Sequence, residues 1–279
     1  MRETTCYLLA LALLTAAPVH PGPSNHARAR PPVGAAKRPL PPSFARESFD
    51  TTLTALPPHF PGHSVAAVYR QLRDQLGKDE FESSDAFRRR VDALAAPLSV
   101  YAFWLENNHN TYDADRSLMM VHLSTSGYIN QPVGETVPGT DSDERTSIKV
   151  LFDVLSEERY VGSNAFGATI AVTRSVVDDY EVLPVGSAFD PSLALAFPLA
   201  PDRARLLHDR LRVLLVCHLV RPDNGEPLVW EGFLSGKPTF DNPTELLCSV
   251  CYLNARVIGL WVCDKASGEI VYKYAPSAL

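Results

Sequence analysis

The sequence predicts an α+β protein in which two N-terminal helices precede a mainly antiparallel β-sheet body. Apolar residues recur at helical spacing between residues 65 and 94, whereas the apolar runs after Leu98 are short and rich in valine and aromatic residues. Turn-forming residues separate these later runs in place of crossover helices. Strands that are joined by turns favour antiparallel pairing.

The first 17 residues have the pattern of a secretory signal peptide. Arg2 precedes an uncharged apolar run from Leu8 to Ala17 that ends in small residues. This run is shorter than the roughly 20 apolar residues that span a bilayer, so we expect no transmembrane span in the mature chain. We expect an exported protein, periplasmic or secreted, with cleavage after Ala17 or as late as Ala29.

The next segment is rich in proline. Residues 18–62 hold 11 of the 23 prolines, and proline fixes φ and removes a backbone donor. This composition predicts a disordered tether over 18–62. Residues 63–279 are then long enough for a single α+β globular domain.

The charge distribution argues against one class of partner. From Glu47 onward the chain carries 20 basic and 31 acidic residues, a net charge of −11. Nucleic-acid-binding domains need a basic surface to neutralise phosphates. We therefore expect no nucleic-acid partner.

Helix signals define the start of the domain. Val65, Val68 and Leu72 repeat at helical spacing after Ser64, a favoured N-cap residue. Ser83 or Ser84 is expected to cap a second helix, which Pro97 ends, and Phe81 is expected to pack before that cap as a hydrophobic staple.

Period-2 and apolar patterns predict the strands. The longest apolar run, Leu211 to Val220, predicts a central buried strand, and the chain ends in a predicted hairpin from Arg256 to Tyr274. Residues 168–172 and 180–185 are two further predicted strands. Residues 124–147 are polar and glycine-rich, which predicts a long loop.

Four cysteines follow the signal, and three interpretations stay open. They are buried free thiols, a disulfide with Cys217–Cys263 as the favoured pair between neighbouring strands, or a thiol or metal site at Cys248 and Cys251. Cys248-Ser249-Val250-Cys251 is a C-x-x-C pattern inside an apolar run. If that run is a strand, the two thiols point to opposite faces and cannot easily share a metal ion.

The sequence contains no phosphate-binding loop, no H-E-x-x-H and no G-x-S-x-G. We predict no catalytic residues, no metal and no cofactor. A hydrolase alternative would assemble its site from distant residues, namely a serine, an aspartate and one of His109, His122 or His208.

Three stretches resemble a pattern in uncharacterised bacterial exported proteins. They are the segment from Gly77 to Ser84, the segment from Tyr160 to Ala168 and the terminal segment from Leu260 to Glu269. The resemblance implies a bacterial envelope location and one folded body from about Ser64 onward. It implies no activity and no functional residue.

Three functional hypotheses follow. The first is an exported, non-catalytic domain that binds an envelope protein or a ligand, because export is signalled and catalytic motifs are missing. The second is an exported hydrolase. The third is a thiol or metal protein that uses Cys248 and Cys251.

Overall fold

Strands dominate the part of the chain that the structure describes. The structure is a computed structural model and describes residues 47–95, 100–129, 144–163, 166–186, 190, 194–223 and 226–276. The predicted signal peptide, residues 18–46 of the predicted tether, Pro97 and the middle of the predicted 124–147 loop lie outside the described residues. The protein is mainly β with some helices, and its sheets are mixed.

The described elements form a helical start, a run of strands, one short helix and a final run of strands. In chain order they are α1 (Val65–Leu76), α2 (Ser84–Ala95), β1 (Tyr101–Trp104), β2 (Asn108–Asp113), β3 (Leu118–Leu123), β4 (Thr125–Ile129), β5 (Glu144–Ser163), β6 (Thr169–Pro184), β7 (Leu195–Pro198), α3 (Pro201–Leu207), β8 (Leu211–Leu219), β9 (Val229–Gly236), β10 (Thr244–Asp264) and β11 (Ile270–Tyr274).

The larger sheet is built around β10, which is 21 residues long. On one side, β9 pairs with its first half and β8 with its second half, both antiparallel. Asn254 links these two partners, because its N–H donates to the Leu228 carbonyl and its own carbonyl accepts from the Val220 N–H. On the other side, β6 runs parallel to the first half and β11 antiparallel to the end.

The remaining strands extend this sheet and add a smaller one. β5 pairs antiparallel with β6, β4 with the start of β5, and β1 with β8. The smaller sheet has the order β2-β3-β7. The parallel pairing of β6 with β10 makes the larger sheet mixed, so the predicted sheet body is present but has one parallel contact in addition to its antiparallel ones.

The helical predictions agree with the described backbone in part. Helix α1 begins after Ser64, whose Oγ accepts from the Ala67 N–H at 3.3 Å, and the helix buries Val68, Tyr69 and Leu72 against the main core. The Ser83 Oγ caps α2 by accepting from the Ala86 N–H. The predicted staple is wrong, because Phe81 is 89% exposed and buries no apolar surface.

The strand predictions were correct for the longest runs and incomplete elsewhere. β8 is a buried strand between β1 and β10, as predicted, and the terminal hairpin is formed by β10 and β11. The two strands predicted at 168–172 and 180–185 are parts of the single strand β6. The predicted loop over 124–147 is wrong at both ends, because β4 and the first residues of β5 form paired strands there.

Residues 47–63 pack against the sheet, and we call them the strap. The strap covers the outer edge of β1, where the Phe49 N–H donates to the Val100 carbonyl and the His63 N–H donates to the Ala102 carbonyl, each at 2.8 Å. Phe49 and Leu56 are buried in a cluster with Trp104 and Trp261. The composition assigned residues up to 62 to the tether; the structure instead orders the described part from residue 47, because its few apolar side chains find a packing site.

Gly268 holds the middle of the strap. It lies in the β10–β11 turn with φ +81°, and its carbonyl accepts from the Leu56 N–H at 2.8 Å. A Cβ added there would lie 2.0 Å from the Leu56 carbonyl oxygen. Glycine is therefore required both by the backbone angle and by the close approach of the strap.

Candidate functional site

The part of the larger sheet distant from the smaller sheet extends as a four-stranded ribbon, which we call the arm. It consists of residues 152–163 of β5, 169–177 of β6, 244–250 of β10 and 230–236 of β9, with the hairpin tips that carry Phe166 and Phe240. β6 and β10 run parallel, so the β5–β6 tip and the β9–β10 tip lie at the same end. Long strands that continue past the core bring their apolar side chains into solvent.

The arm concentrates the exposed apolar surface of the described residues. Of the 11 large apolar side chains exposed there, nine belong to the arm and only Phe81 and Leu206 lie elsewhere. The nine are Phe152, Val154, Leu155, Val161, Phe166, Phe233, Leu234, Phe240 and Leu246. Exposed apolar side chains scattered singly are ordinary, whereas their concentration on one part of the sheet marks a candidate interaction surface.

The two faces of the arm differ in character. On one face, Val154, Val177, Cys248 and Leu234 lie side by side across the four strands. On the other face a polar network joins neighbouring strands: Arg174 donates to Glu245 at 2.8 Å, as does the Tyr160 hydroxyl at 2.7 Å. These two contacts hold the pKa of the Glu245 carboxyl below its usual range. Val154 and Leu234, at the two margins of this row, are thus the part available for docking, and the opposite network stiffens the ribbon.

The two long edges of the arm also differ. The outer edge of β5 is interrupted by β-bulges at Lys149/Leu151 and at Val154/Ser156 and carries the charged run Glu157, Glu158 and Arg159. Bulges and charges of this kind prevent another strand from pairing. β9 pairs with β10 without a register shift, and within the described residues no strand pairs with its outer edge.

A buried charged cluster lies beside the arm at the base of the apolar face. Asp179 and Glu181 are 4% and 2% exposed, and the Lys149 Nζ lies 3.0 Å from an Asp179 oxygen and 3.6 Å from a Glu181 oxygen. The hydroxyls of Ser126, at 2.6 Å, and of Ser147 donate to Glu181. Among the residues that the structure describes, the Asp179 Oδ1 has no hydrogen-bond partner.

This cluster resembles a structural ion-pair network more closely than a reactive site. Burial opposes the charge on Lys149, but its contacts with Asp179 and Glu181 raise the pKa of its ammonium group overall. A lysine that stays protonated near neutral pH is not a general base or a nucleophile. The cluster therefore supports the fold of β4, β5 and β6 next to the apolar row.

The four cysteines that follow the signal are free and buried. Burial raises the pKa of the Cys251 and Cys263 thiols to about 12 and raises the pKa of Cys217 and Cys248 as well. A thiol with a raised pKa holds little thiolate, the form that attacks electrophiles and binds metals. The structure thus places these residues as small core side chains.

The C-x-x-C pattern lies in the middle of β10. Cys248 packs with Val177 and Tyr252 on one face of the sheet, whereas Cys251 packs in the main core on the other face. The expected strand geometry is confirmed, and the two thiols are not brought together. Among the described residues, no group of three or more His, Cys, Asp or Glu side chains is arranged to hold a metal ion.

The structure does not bring together the favoured disulfide pair. Cys217 of β8 lies opposite Val257 of β10, and Cys263 lies opposite Arg212. The two thiols also belong to different core clusters on opposite faces of the sheet. A disulfide needs Cα atoms within about 7 Å of each other and side chains on one face, so this pair is corrected to two separate free thiols.

The histidines of the hydrolase alternative lie in separate places. His109 and His122 are opposed across β2 and β3, with ring centroids 6.2 Å apart, and His208 contacts the exposed Asp209 through its Nδ1 at 2.8 Å. Neither arrangement places a histidine between a serine hydroxyl and an acid. They are surface pairs of the smaller sheet and of the end of α3.

Comparison of the chain with protein-family models, with curated proteins and with solved structures finds no match. No helix within the described residues is both long and apolar enough to cross a membrane.

Sequence reasoning did not find the arm. Val150, Phe152 and Val154 alternate along β5 and could have indicated a strand, but the bulges disturb the period beyond them. Nothing in the sequence of β9 marks it as an edge strand, because edge position depends on which strands pair. The exposure of Phe233 and Leu234 is therefore visible only in the tertiary structure.

Proposed function

We propose that this protein is an exported, non-catalytic binding domain of the cell envelope, periplasmic or secreted, and that the arm is the surface through which it binds a protein partner. The single observation that carries the proposal is the concentration of nine exposed large apolar side chains on the arm. The signal-peptide pattern of residues 1–17 supports export.

Three properties of the arm support protein binding. Its apolar row crosses four strands and exposes an apolar side chain at each margin. Its centre is well packed, since Val177 and Cys248 are buried while Val154 and Leu234 at the margins are 52% and 60% exposed. Its opposite face is held by the Arg174–Glu245 pair, so the surface is ordered before a partner arrives. Ordered apolar surfaces bind with a smaller entropic cost than flexible ones.

Site-specific photocrosslinking in the source cell tests the proposal. The photoreactive residue p-benzoylphenylalanine replaces Phe152, Val154 or Leu234, which lie on the apolar face of the arm. The matched controls replace Phe81 and Leu206, which are also exposed and apolar but lie outside the arm. We expect discrete protein adducts at the arm positions, absent at both controls, that map to one surface of one partner.

Substitution of a neighbouring apolar residue tests whether adduct formation depends on the apolar face of the arm. Leu246→Ser removes an exposed apolar side chain next to the row, on the same face of β10 as Cys248, and should reduce adduct formation from Leu234 several-fold, whereas Leu206→Ser should leave it unchanged. Equal crosslinking at arm and control positions would contradict the proposal. Adducts of lipid mass alone would replace a protein partner by a membrane surface.

A further inference from the structure

We infer that the outer edge of β9 is a strand-addition site and that its occupant is a second copy of this chain, paired antiparallel through β9. The inference names the partner of the proposed arm surface and therefore rests on the proposed function. Three observations support it. Alternate backbone groups of β9 point outward, the edges of β1 and β5 are covered or interrupted, and the side chains of β9 are compatible with a second copy.

The register of β9 shows which backbone groups face outward. Asn254 donates to Leu228, and Tyr252, Val250 and Cys248 lie opposite Trp230, Gly232 and Leu234. In an antiparallel pair, alternate residues direct both the N–H and the C=O to the neighbouring strand. The N–H and C=O groups of Leu228 and of the even-numbered residues after it therefore point toward β10. The N–H and C=O groups of Val229, Glu231, Phe233 and Ser235 point away from the sheet.

Within the described residues, the fold covers or disrupts two other edges of this sheet, whereas no strand pairs with the outer edge of β9. The strap bonds to the outer edge of β1, and bulges with charged residues interrupt β5. From Val229 to Gly236, β9 has no proline, no lysine, no arginine and no bulge. Proteins commonly protect exposed edges with these devices, and an edge without them is a template for another strand.

A second copy fits this edge without opposing like charges. Antiparallel pairing about Gly232 places Val229 opposite Ser235 of the second copy and Glu231 opposite Phe233 of the second copy. Each Glu231, the only charged residue of β9, lies 3.7 Å from its own Arg73 of α1 and so brings a positive partner to the interface. The outward backbone groups of Glu231 and Phe233 would then be paired with those of Phe233 and Glu231 of the second copy.

The side chains of β9 gain burial on both faces of the joined sheet. Phe233 and Leu234 are 66% and 60% exposed and, as neighbours on a strand, point to opposite faces. Pairing would place each beside the second copy of β9. The alternation of outward backbone groups restricts the register, because a shift by one residue would place residues that face β10 opposite residues that face outward.

Sedimentation velocity and light scattering of the full mature chain over a concentration series test the inference. We expect a concentration-dependent dimer. Ser235→Pro removes an outward N–H and leaves the β10 ladder intact, and Phe233→Lys places a charge in the interface. We expect both variants to be monomers. Leu206→Lys, a matched change of an exposed apolar residue on α3, should keep the dimer.

Circular dichroism and an engineered disulfide distinguish loss of the dimer from loss of the fold. Circular dichroism should show wild-type secondary structure for every variant, and if Ser235→Pro does not fold then Phe233→Lys decides. Gly232→Cys should form an intermolecular disulfide on oxidation, because Gly232 faces Gly232 of the second copy in the inferred register. A monomer at every concentration, or a dimer that survives both edge variants, would overturn the inference.

The crosslinking experiment distinguishes a failure of the inferred dimer from a failure of the proposed binding function. Arm adducts with a different protein, together with a monomeric chain, would leave the binding function in place and reject the second copy as the occupant. Arm adducts of twice the chain mass are expected here. Absence of all arm adducts would reject both.

Discussion

The four buried cysteines are the clearest case at the residue scale in which environment outweighs sequence pattern. Two of them form a C-x-x-C and a second pair lies on neighbouring strands, yet each is surrounded by core side chains. Burial raises the thiol pKa in every case, to about 12 for Cys251 and Cys263. Reactivity is thus suppressed by desolvation at each position.

We predict that Cys217, Cys248, Cys251 and Cys263 are unmodified when the native protein is treated with iodoacetamide near neutral pH. All four should be alkylated once the protein is unfolded, as measured by peptide mass spectrometry. Ser156→Cys, at an exposed position of β5, supplies a control thiol that should react in the native state. Rapid native labelling of Cys248 or Cys251 would revive the thiol-protein hypothesis.

Asp264 shows how a buried carboxylate holds a turn. It is 2% exposed, accepts from the Ser267 hydroxyl at 2.7 Å and from the Ala266 N–H at 3.1 Å, and pairs with Arg210. Burial opposes its ionisation, but these three contacts keep the pKa of the carboxyl below its usual value of 3.8. Because the folded-state pKa is lowered, the charge stabilises the fold above that value and the contribution is lost as pH falls through the folded-state pKa.

We predict that Asp264→Asn lowers the free energy of unfolding by about 1–3 kcal/mol at pH 7, the cost of leaving buried hydrogen-bonding groups poorly paired. The difference from wild type should shrink below the usual pKa of 3.8, where the native carboxylate takes up its proton. Urea titrations across this pH range measure it. Asp209→Asn, at a side chain that is 95% exposed, is the control; equal effects of the two changes would contradict the assigned role.

At the scale of elements, the strap and the arm illustrate opposite uses of short apolar segments. The strap covers an edge of the sheet and closes a cluster around Trp104 and Trp261. The arm extends past the core and leaves its apolar side chains uncovered. One element therefore contributes to stability, and the other is available for binding.

We predict that Phe49→Ala destabilises the protein by about 3–5 kcal/mol, the usual cost of removing a buried phenylalanine. Phe49 is 6% exposed and its ring centroid lies 5.0 Å from that of Trp261. Phe81→Ala is the matched control, because Phe81 is 89% exposed and its loss should change stability by less than about 0.5 kcal/mol. Thermal unfolding of the two variants measures the difference, and similar melting temperatures would show that the strap is not part of the core.

At the scale of the whole molecule, the uneven charge and composition of the chain suit a folded body that follows an export signal. We predict that the mature protein lacks at least Met1 to Ala17 and fractionates with the periplasm or the medium. N-terminal sequencing combined with cell fractionation measures both. Intact Met1 in the cytoplasm would contradict export and, with it, the proposed envelope location.

Much of the secondary structure followed from local pattern. Helix α1 was predictable to the residue because Ser64 caps it and its apolar stripe has the helical period, and β8 was predictable because a long apolar run is buried on both faces. The burial of the strap was not predictable from composition, because residues 18–62 contain eleven prolines and only three phenylalanines and three leucines.

Local sequence therefore established where helices and strands form, that the chain carries an export pattern, and that Cys248 and Cys251 would diverge if their run was a strand. Folding alone determined the parallel contact of β6 with β10, the separation of Cys217 from Cys263, and the open edge of β9. The physical reason is that period and capping are properties of neighbouring residues. Edge position and exposure instead depend on which distant strands pair, and no local signal encodes that choice.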